Sequence, residues 1–423
     1  MEFKLKDIAH INQETLKKDS FPNNFLYLDT KNLTSGKFGE LVYFDTMKDK
    51  VPSRARRIVK ENDILISTVR PNQRHYGFIT KDQESYIVST GFAVITPDET
   101  KVNPYFLYKY LTLENITNYL QSIAENSTSA YPAIKPSVLS ELSIILPNKT
   151  IQGYISKLLR SLDDKMNLNE QIIANLEELS QTLFKRWFVD FEFPDENGNP
   201  YKSSGGEMID SELGKIPKEW TVKSLNEFID IIDNRGKTPP LVNEMRAHPI
   251  IDVKALSGDT RVIDYKKCLK FVSKETYDTW FRSGHPKKGD TLLSTVGSIG
   301  ETKMFYHDIG TIAQNVVSLR SENSYFTYDL INNVKSSFLT FNIGSVQPSI
   351  KITHINKIKV VYPSKIVIEN YEKMIKKFIS NLYVRDLENQ NLTQLRDTLL
   401  PKLMSGEIEI PDDIEVNEDE LSI

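Results

Sequence analysis

The chain repeats itself, and that limits its possible folds more than any other feature of the sequence. Pro132, Ile134 and Lys135 recur as Pro348, Ile350 and Lys351, and Pro147 recurs as Pro363. Asn175-Leu176 recur as Asn391-Leu392, and Thr182-Leu183 as Thr398-Leu399. Each pair is 216 residues apart, so a stretch of about 55 residues aligns without a gap. Nearer the start of each half the offset drifts. DILISTV (Asp63–Val69) matches DTLLSTV (Asp290–Val296) at 227, and FKLKDIAHI (from Phe3) echoes WTVKSLNEFI (from Trp220). Each half therefore has a variable front module and a constrained rear segment.

The fronts, 1–150 and 219–363, carry short β-branched runs bounded by turn residues (ILIST, YIVST, FAVIT, LSIIL), which read as strands. Tyr105 to Gln121 reads as a helix. The rears, 151–194 and 364–405, carry a heptad-like apolar pattern. Ile155, Leu162, Leu176 and Leu183 form one row and Leu158, Ile172 and Leu179 a second; their counterparts are Tyr371, Phe378, Leu392 and Leu399, then Met374 and Leu395. This predicts an α+β fold with two mixed modules in a pseudo-two-fold repeat and two long antiparallel helices, about 50 Å at 1.5 Å per residue, the alternative being two amphipathic helices in separate cores. Polar residues interrupt the seam at Lys165, Asn169, Asn381 and Arg385, and the pattern predicts a Lys165–Glu388 contact. Between the halves, 195–218 is rich in Gly, Pro, Ser and charge and reads as a linker.

The formal charge of −4 hides a strong asymmetry. Glu407 to Ile423 holds eight acidic residues and no basic one, so 406–423 reads as an acidic tail on a body of charge +4. Lys48–Lys81 has nine basic residues against three acidic, and Lys254–Lys288 nine against four. Two basic stretches at similar places in two halves point to a polyanion. The one cysteine, Cys268, excludes an internal disulfide and a cysteine-based zinc site, and no run is long and apolar enough for a membrane helix. With no signal-peptide core after Met1, the chain reads as cytoplasmic.

No catalytic constellation emerges. The six histidines are scattered, and there is no Walker A loop and no GxSxG elbow. Asn103-Pro104-Tyr105-Phe106 is similar to the NPPY/F loop of amino-methyltransferases, but lacks the second proline and any preceding glycine-rich cofactor loop. It reads as a helix start, and Gly297–Gly300 as a hairpin turn. Phosphates call for Lys or Arg, and base edges for Arg, Asn or Gln. The first module offers Arg54, Arg56 and Arg57 for the backbone, and Arg70, Asn72, Gln73, Arg74 and Tyr76 as readers after a strand. The second offers Arg235 and Lys237 in a Gly/Pro-rich loop, Gln314 and Asn315 after a strand, and Lys266, Lys267, Lys287 and Lys288 for phosphates. Phe184, Trp187, Phe188, Phe191 and Phe193 are too dense for one face of a solvated helix, and read either as a partner-docking patch or as packing within the chain.

The whole layout resembles the specificity subunits of type I restriction–modification systems. The most specific segments are LEELSQTLFKRWFVDFEFP (from Leu176), LGKIPKEWTVKSL (from Leu213) and LRDTLLPKLMSGEI (from Leu395). RGKTPP, STVGSIG, IAQNVV and GSVQPSI in the second front look like recurrent target-recognition elements. STSAYPAI stands in the first front where GSVQPSI does in the second, without its glycine. The resemblance implies a non-catalytic, sequence-specific binder of double-stranded DNA whose two target-recognition domains read an asymmetric, split target. It further implies that the helices form a coiled-coil spacer docking two methyltransferase subunits. Those subunits would bind S-adenosylmethionine and methylate adenine N6, while motor–nuclease subunits using ATP and Mg would cut unmodified DNA. This chain would bind no cofactor and no metal. Two other classes stand beside it: a coiled-coil scaffold with two protein-binding heads, and a methyltransferase fused to a recognition domain.

Overall fold

The computed structural model describes residues 1–17, 20–126, 132–236, 238–243, 248–342 and 348–411. The chain divides into two compact units, Met1–Asn167 with Gln390–Ile423, and Leu168–Asn389.

In the first unit, four antiparallel strands lie in the order Ala9–Ile11, Phe92–Pro97, Ile64–Ser67, Tyr76–Phe78. Ile64–Ser67 is buried throughout, because it lies inside the sheet with apolar groups on both faces. A second sheet contains Asn24–Leu28 parallel to Ile87–Ser89, and Glu2–Lys4 pairs with Ser143–Ile145 to close the module. The helix Pro104–Leu111 begins where Asn103 accepts the backbone N–H groups of Tyr105 and Phe106, with proline at the first helical position. NPYF is thus a capped helix start.

The second unit uses the same plan with other residues. Its sheet order is Asp230–Ile232, Val316–Arg320, Thr291–Ser294, Thr302–Met304; His248–Ile251 is parallel to Thr311–Ile312, and Thr221–Ser224 closes on Lys359–Tyr362. The equivalence extends to single hydrogen bonds. Thr68 N–H donates to Gly91 O and Thr295 N–H to Asn315 O; Arg70 N–H donates to Pro132 O and Gly297 N–H to Pro348 O. Asp63 and Asp290 each accept the backbone N–H three residues earlier, at 2.9 Å. The Gly297–Gly300 segment links two antiparallel strands, as a hairpin turn should.

Both rear segments are long helices, Lys149–Phe184 and Lys365–Ser405. The first row of the expected seam is buried at Ile155 and Leu162, but the second needs correction. Leu158 and Ile172 are half-buried and Leu179 is 53% exposed, while Leu159, Met166, Ile173, Ser180 and Trp187 are buried in steps of seven. The pairs Leu158-Leu159 and Ile172-Ile173 allow either register to be drawn, and Ser180 disguises the true one. Within the second unit the buried amide of Asn169 donates to Glu388 and to Asn389, both at 2.9 Å, and Arg385 pairs with Glu388.

Each helix ends in a globular core. Phe184, Trp187, Phe188 and Phe193 join Trp220, Phe326 and Tyr371 in the second unit, while Leu403 and Met404 join Ile155, Leu159 and Phe106 in the first. Leu403 and Met404 stand 216 residues after Trp187 and Phe188, so the repeat governs packing as well as pattern. The aromatic cluster is therefore core, which corrects the docking expectation for Phe184, Trp187 and Phe188; Phe191 is half-buried edge-on to Trp220 at 5.5 Å. The expected linker 195–218 holds a hairpin, Met208–Ser211 with Gly214–Pro217, and Tyr201 stacks on Phe193 at 4.6 Å.

A charged network lies beneath the second front module. Arg261, fully buried, donates from Nε to Glu177 on the first long helix at 3.0 and 3.1 Å and from Nη2 to Asp329 at 3.2 Å and Ser180 at 2.8 Å. Tyr371 on the second long helix donates to Asp329 at 2.8 Å. Burial opposes the charge on Arg261, but Asp329 and Glu177 hold its pKa above the ordinary arginine value. In the first unit Asp163 is the hub: it pairs with Lys109 and with Arg396, and accepts from Tyr105. Burial would raise the Asp163 carboxyl, yet Lys109 holds it below the usual carboxylate range.

Candidate nucleic-acid interface

In the second unit a cleft of about 550 Å³ gathers Arg235, Gln314 and Asn315, three of the residues picked from sequence. The loop that brings Arg235 there is built from its own side chains. Asp233 accepts the Arg235 backbone N–H at 3.0 Å and its Nε at 2.9 Å, so the arginine is oriented and partly neutralised. Gly236, at φ +147°, exposes a carbonyl that accepts Gln314 Nε2 at 3.0 Å, tying this loop to the strand side. Asn234 Nδ2 donates to Gly284 O at 2.9 Å. Among the described residues, the Oδ1 atoms of Asn234 and Asn315 are both enclosed without a hydrogen-bond partner. Thr238, Lys270, Asp252 and Phe281 complete the polar and aromatic lining. Sequence reasoning passed over Asn234, Lys270 and Phe281; only the first, adjacent to RGKTPP, carried a local signal.

The phosphate candidates do not gather at this cleft. Lys267 donates to Ser257 at 2.9 Å and pairs with Asp264 at 3.2 Å, beside a separate depression of about 360 Å³. Lys266, Lys287 and Lys288 are exposed, and Lys288 lies 4.2 Å over the Tyr306 ring. Lys237 lies outside the described residues, as do 127–131 of STSAYPAI, 344–347 of GSVQPSI and the tail beyond 411.

In the first unit the readers picked from sequence form one exposed turn. Pro71–Gln73 is a short 3-10 turn flanked by Arg70 (φ +49°) and Arg74 (φ +54°), both in the left-handed region. Such backbone costs a non-glycine residue about 1–3 kcal/mol and persists only where its surroundings enforce it. Here Arg70 N–H is held by Pro132 O at 2.9 Å, Asn72 N–H by Gln121 at 3.1 Å, and Gln73 meets His75 at 3.1 Å. Arg70, Asn72, Gln73 and Arg74 are exposed, Arg74 lying 3.6 Å from Glu114. Tyr76 is half-buried and packs edge-on against Tyr108 at 6.3 Å.

The arginine strand divides in two. Arg54 is exposed. Arg56 donates to Leu16 O at 3.2 Å and Arg57 to Thr15 Oγ1 at 2.8 Å, so both are half-buried braces for the segment beside them. Burial lowers the Arg57 pKa from its ordinary value. Among the described residues no group of His, Cys, Asp or Glu is arranged to hold a metal ion, and no helix is long and apolar enough to cross a membrane.

The model of the type I restriction modification DNA specificity domain matches residues 1–178 and again 217–397. The chain is 29% identical to the type I restriction enzyme HindI specificity subunit of Haemophilus influenzae, covering 96% of this chain and 99% of that one. It is 24% identical to the MjaIX specificity subunit of Methanocaldococcus jannaschii, covering 96% and 93%. The fold is like that of the type I restriction–modification S subunit from M. genitalium, with a TM-score of 0.56 at 17% identity over 98% and 96% of the two chains. The chain belongs to the type I restriction–modification specificity family, with one specificity domain in each half.

Proposed function

We propose that this chain is the DNA-reading subunit of a type I restriction–modification enzyme, each front module being a target-recognition domain for one half of an asymmetric, bipartite duplex target. One observation carries the asymmetry: the two modules share a hydrogen-bond framework but present different side chains from it. Gly91 in the first module stands where Asn315 does in the second, and Arg70 where Gly297 does. One backbone with two sets of polar groups is what reading two different sequences requires. The long helices act as the spacer that holds the half-sites apart and leaves the intervening bases unread.

In this reading the chain is non-catalytic, cytoplasmic and free of cofactors. Partner methyltransferase subunits bring S-adenosylmethionine and methylate adenine N6; motor–nuclease subunits bring ATP and Mg. With the aromatic cluster in the core, docking falls to the exposed apolar positions of the helices, such as Leu179, Val384 and Leu387 in the second unit. The test is co-expression with a methyltransferase subunit and single-molecule sequencing of host DNA, against a methyltransferase-only control. A new N6-methyladenine motif with two unlike halves and a fixed gap is the expected result. Identical methylation in the control would overturn the reading.

A further inference from the structure

We propose that Arg70 is a specificity-determining residue of the first front module, reading a guanine in one half-site. This rests on the function proposed above and assigns it to one side chain. The shared hydrogen bonds, from Thr68 and Thr295 on one side and to Pro132 and Pro348 on the other, superimpose Arg70 on Gly297. Both residues have left-handed backbone, φ +49° for Arg70 and φ +85° for Gly297. Glycine is the residue that geometry favours, and the second module has it. The first module places a long cationic side chain there instead, against backbone preference and on the exposed face.

A fold that needed only the turn would keep the glycine, so the side chain is what the position is for. Its surroundings agree. The loop between the paired strands is one residue longer in the first module, 68–74 against 295–300, as fixed by Ser67 N–H to His75 O and Ser294 N–H to Glu301 O. The extra length forms the Pro71–Gln73 turn that Gln121 and His75 hold in place. Gly91, the neighbour across Thr68, is crowded: a Cβ there would meet Thr30 Cγ2 at 2.8 Å, so a side chain at 91 requires Thr30 to shift. In the second module the same neighbour is Asn315, so each module fills one of the two positions and leaves glycine at the other. An arginine on a rigid, over-determined turn suits bidentate donation to guanine O6 and N7 better than loose phosphate contact.

The test replaces Arg70 by its twin's residue, Arg70→Gly, in the full chain co-expressed with the methyltransferase subunit. The methylated motif is read by single-molecule sequencing, and unfolding of the purified chain is followed alongside. Discrimination at one G·C pair, roughly 5- to 150-fold for a bidentate contact, should fall to near unity in one half of the motif. The other half should remain unchanged, and the melting temperature should not fall, because glycine relaxes the turn. An unchanged motif with lower methylation occupancy would make Arg70 a phosphate anchor and overturn the proposal. Loss of the whole motif with a lower melting temperature would make it structural, and overturns it equally. Absence of any motif with the unaltered chain would instead defeat the reading beneath it.

Discussion

Glu372, on the second long helix, accepts the backbone N–H of Phe326 at 2.8 Å and so caps a helix of the second front module from outside it. The same position in the first half is Ser156, which donates to Asn103 at 2.7 Å, and there Asn103 caps its own helix. In the second half Asn323 makes no such cap, and the carboxylate from the long helix takes over.

Glu372 makes stability depend on pH. Burial raises its pKa from 4.5 to about 7, so the folded chain holds this proton more tightly than the unfolded one. The contribution is fully present below about pH 4.5 and is lost as pH rises through about 7. At about 1.4 kcal/mol per pKa unit the ceiling is on the order of 3 kcal/mol. Glu372→Gln keeps an acceptor for Phe326 and should flatten urea-unfolding stability between pH 4.5 and 7. An unaltered pH profile would count against the assignment.

Arg261→Met should be among the most damaging single changes. It leaves Glu177 and Asp329 buried without their cation, which in comparable sites costs about 3–5 kcal/mol. Chemical denaturation of the full chain measures this directly, and a loss below about 1 kcal/mol would mean the carboxylates find other partners.

Trp187→Ala tests the corrected role of the aromatic cluster. As a core residue, 5% exposed, it should cost about 3–5 kcal/mol of stability. A variant that unfolds like the original chain yet fails to capture a methyltransferase subunit would restore the docking role.

Lys287 and Lys267 should separate by the salt dependence of DNA binding. Lys287 is exposed, and if it meets a phosphate, Lys287→Ala should lower the slope of log affinity against log salt by about 1. Lys267 is engaged by Asp264 and Ser257, and Lys267→Ala should leave the slope nearly unchanged. Equal slopes for both variants would remove the distinction.

Asn169→Leu probes the polar interruption of the helix pair in the second unit. It removes two 2.9 Å hydrogen bonds and leaves Glu388 with its Arg385 partner. The expected cost is about 1–3 kcal/mol, for the loss of two hydrogen bonds from a buried amide, one of them to a carboxylate. A gain in melting temperature would show that Asn169 serves register alone.

The repeat, the module order and the two long helices were legible because identical residues recur at one spacing and apolar residues at a helical one. The seam register was not, since Leu158-Leu159 and Ile172-Ile173 are apolar on both sides of the choice. Arg235, Gln314 and Asn315 were each legible by residue type beside a turn or strand signal, but their shared cleft was not. The bracing contacts of Arg56 and Arg57 were not legible, because an arginine holding a neighbouring carbonyl or hydroxyl looks the same in sequence as one awaiting a phosphate. Arg261 and Asp329 sent no signal: their partners Glu177 and Ser180 are some 80 to 150 residues distant, and only the fold brings them together.

The seating of Leu403 and Met404 in the first unit bears on how the chain is made. A ribosome delivers residues 1–167 long before 390–405, so the first module emerges with a wall of its core missing. During the synthesis of more than two hundred further residues, Ile155, Leu159 and their neighbours wait for the final helical turns. The second unit, contiguous from Leu168 to Asn389, has no such wait. The half that is translated first is therefore the half that finishes folding last, and a chain clipped near its end should fail first at its beginning.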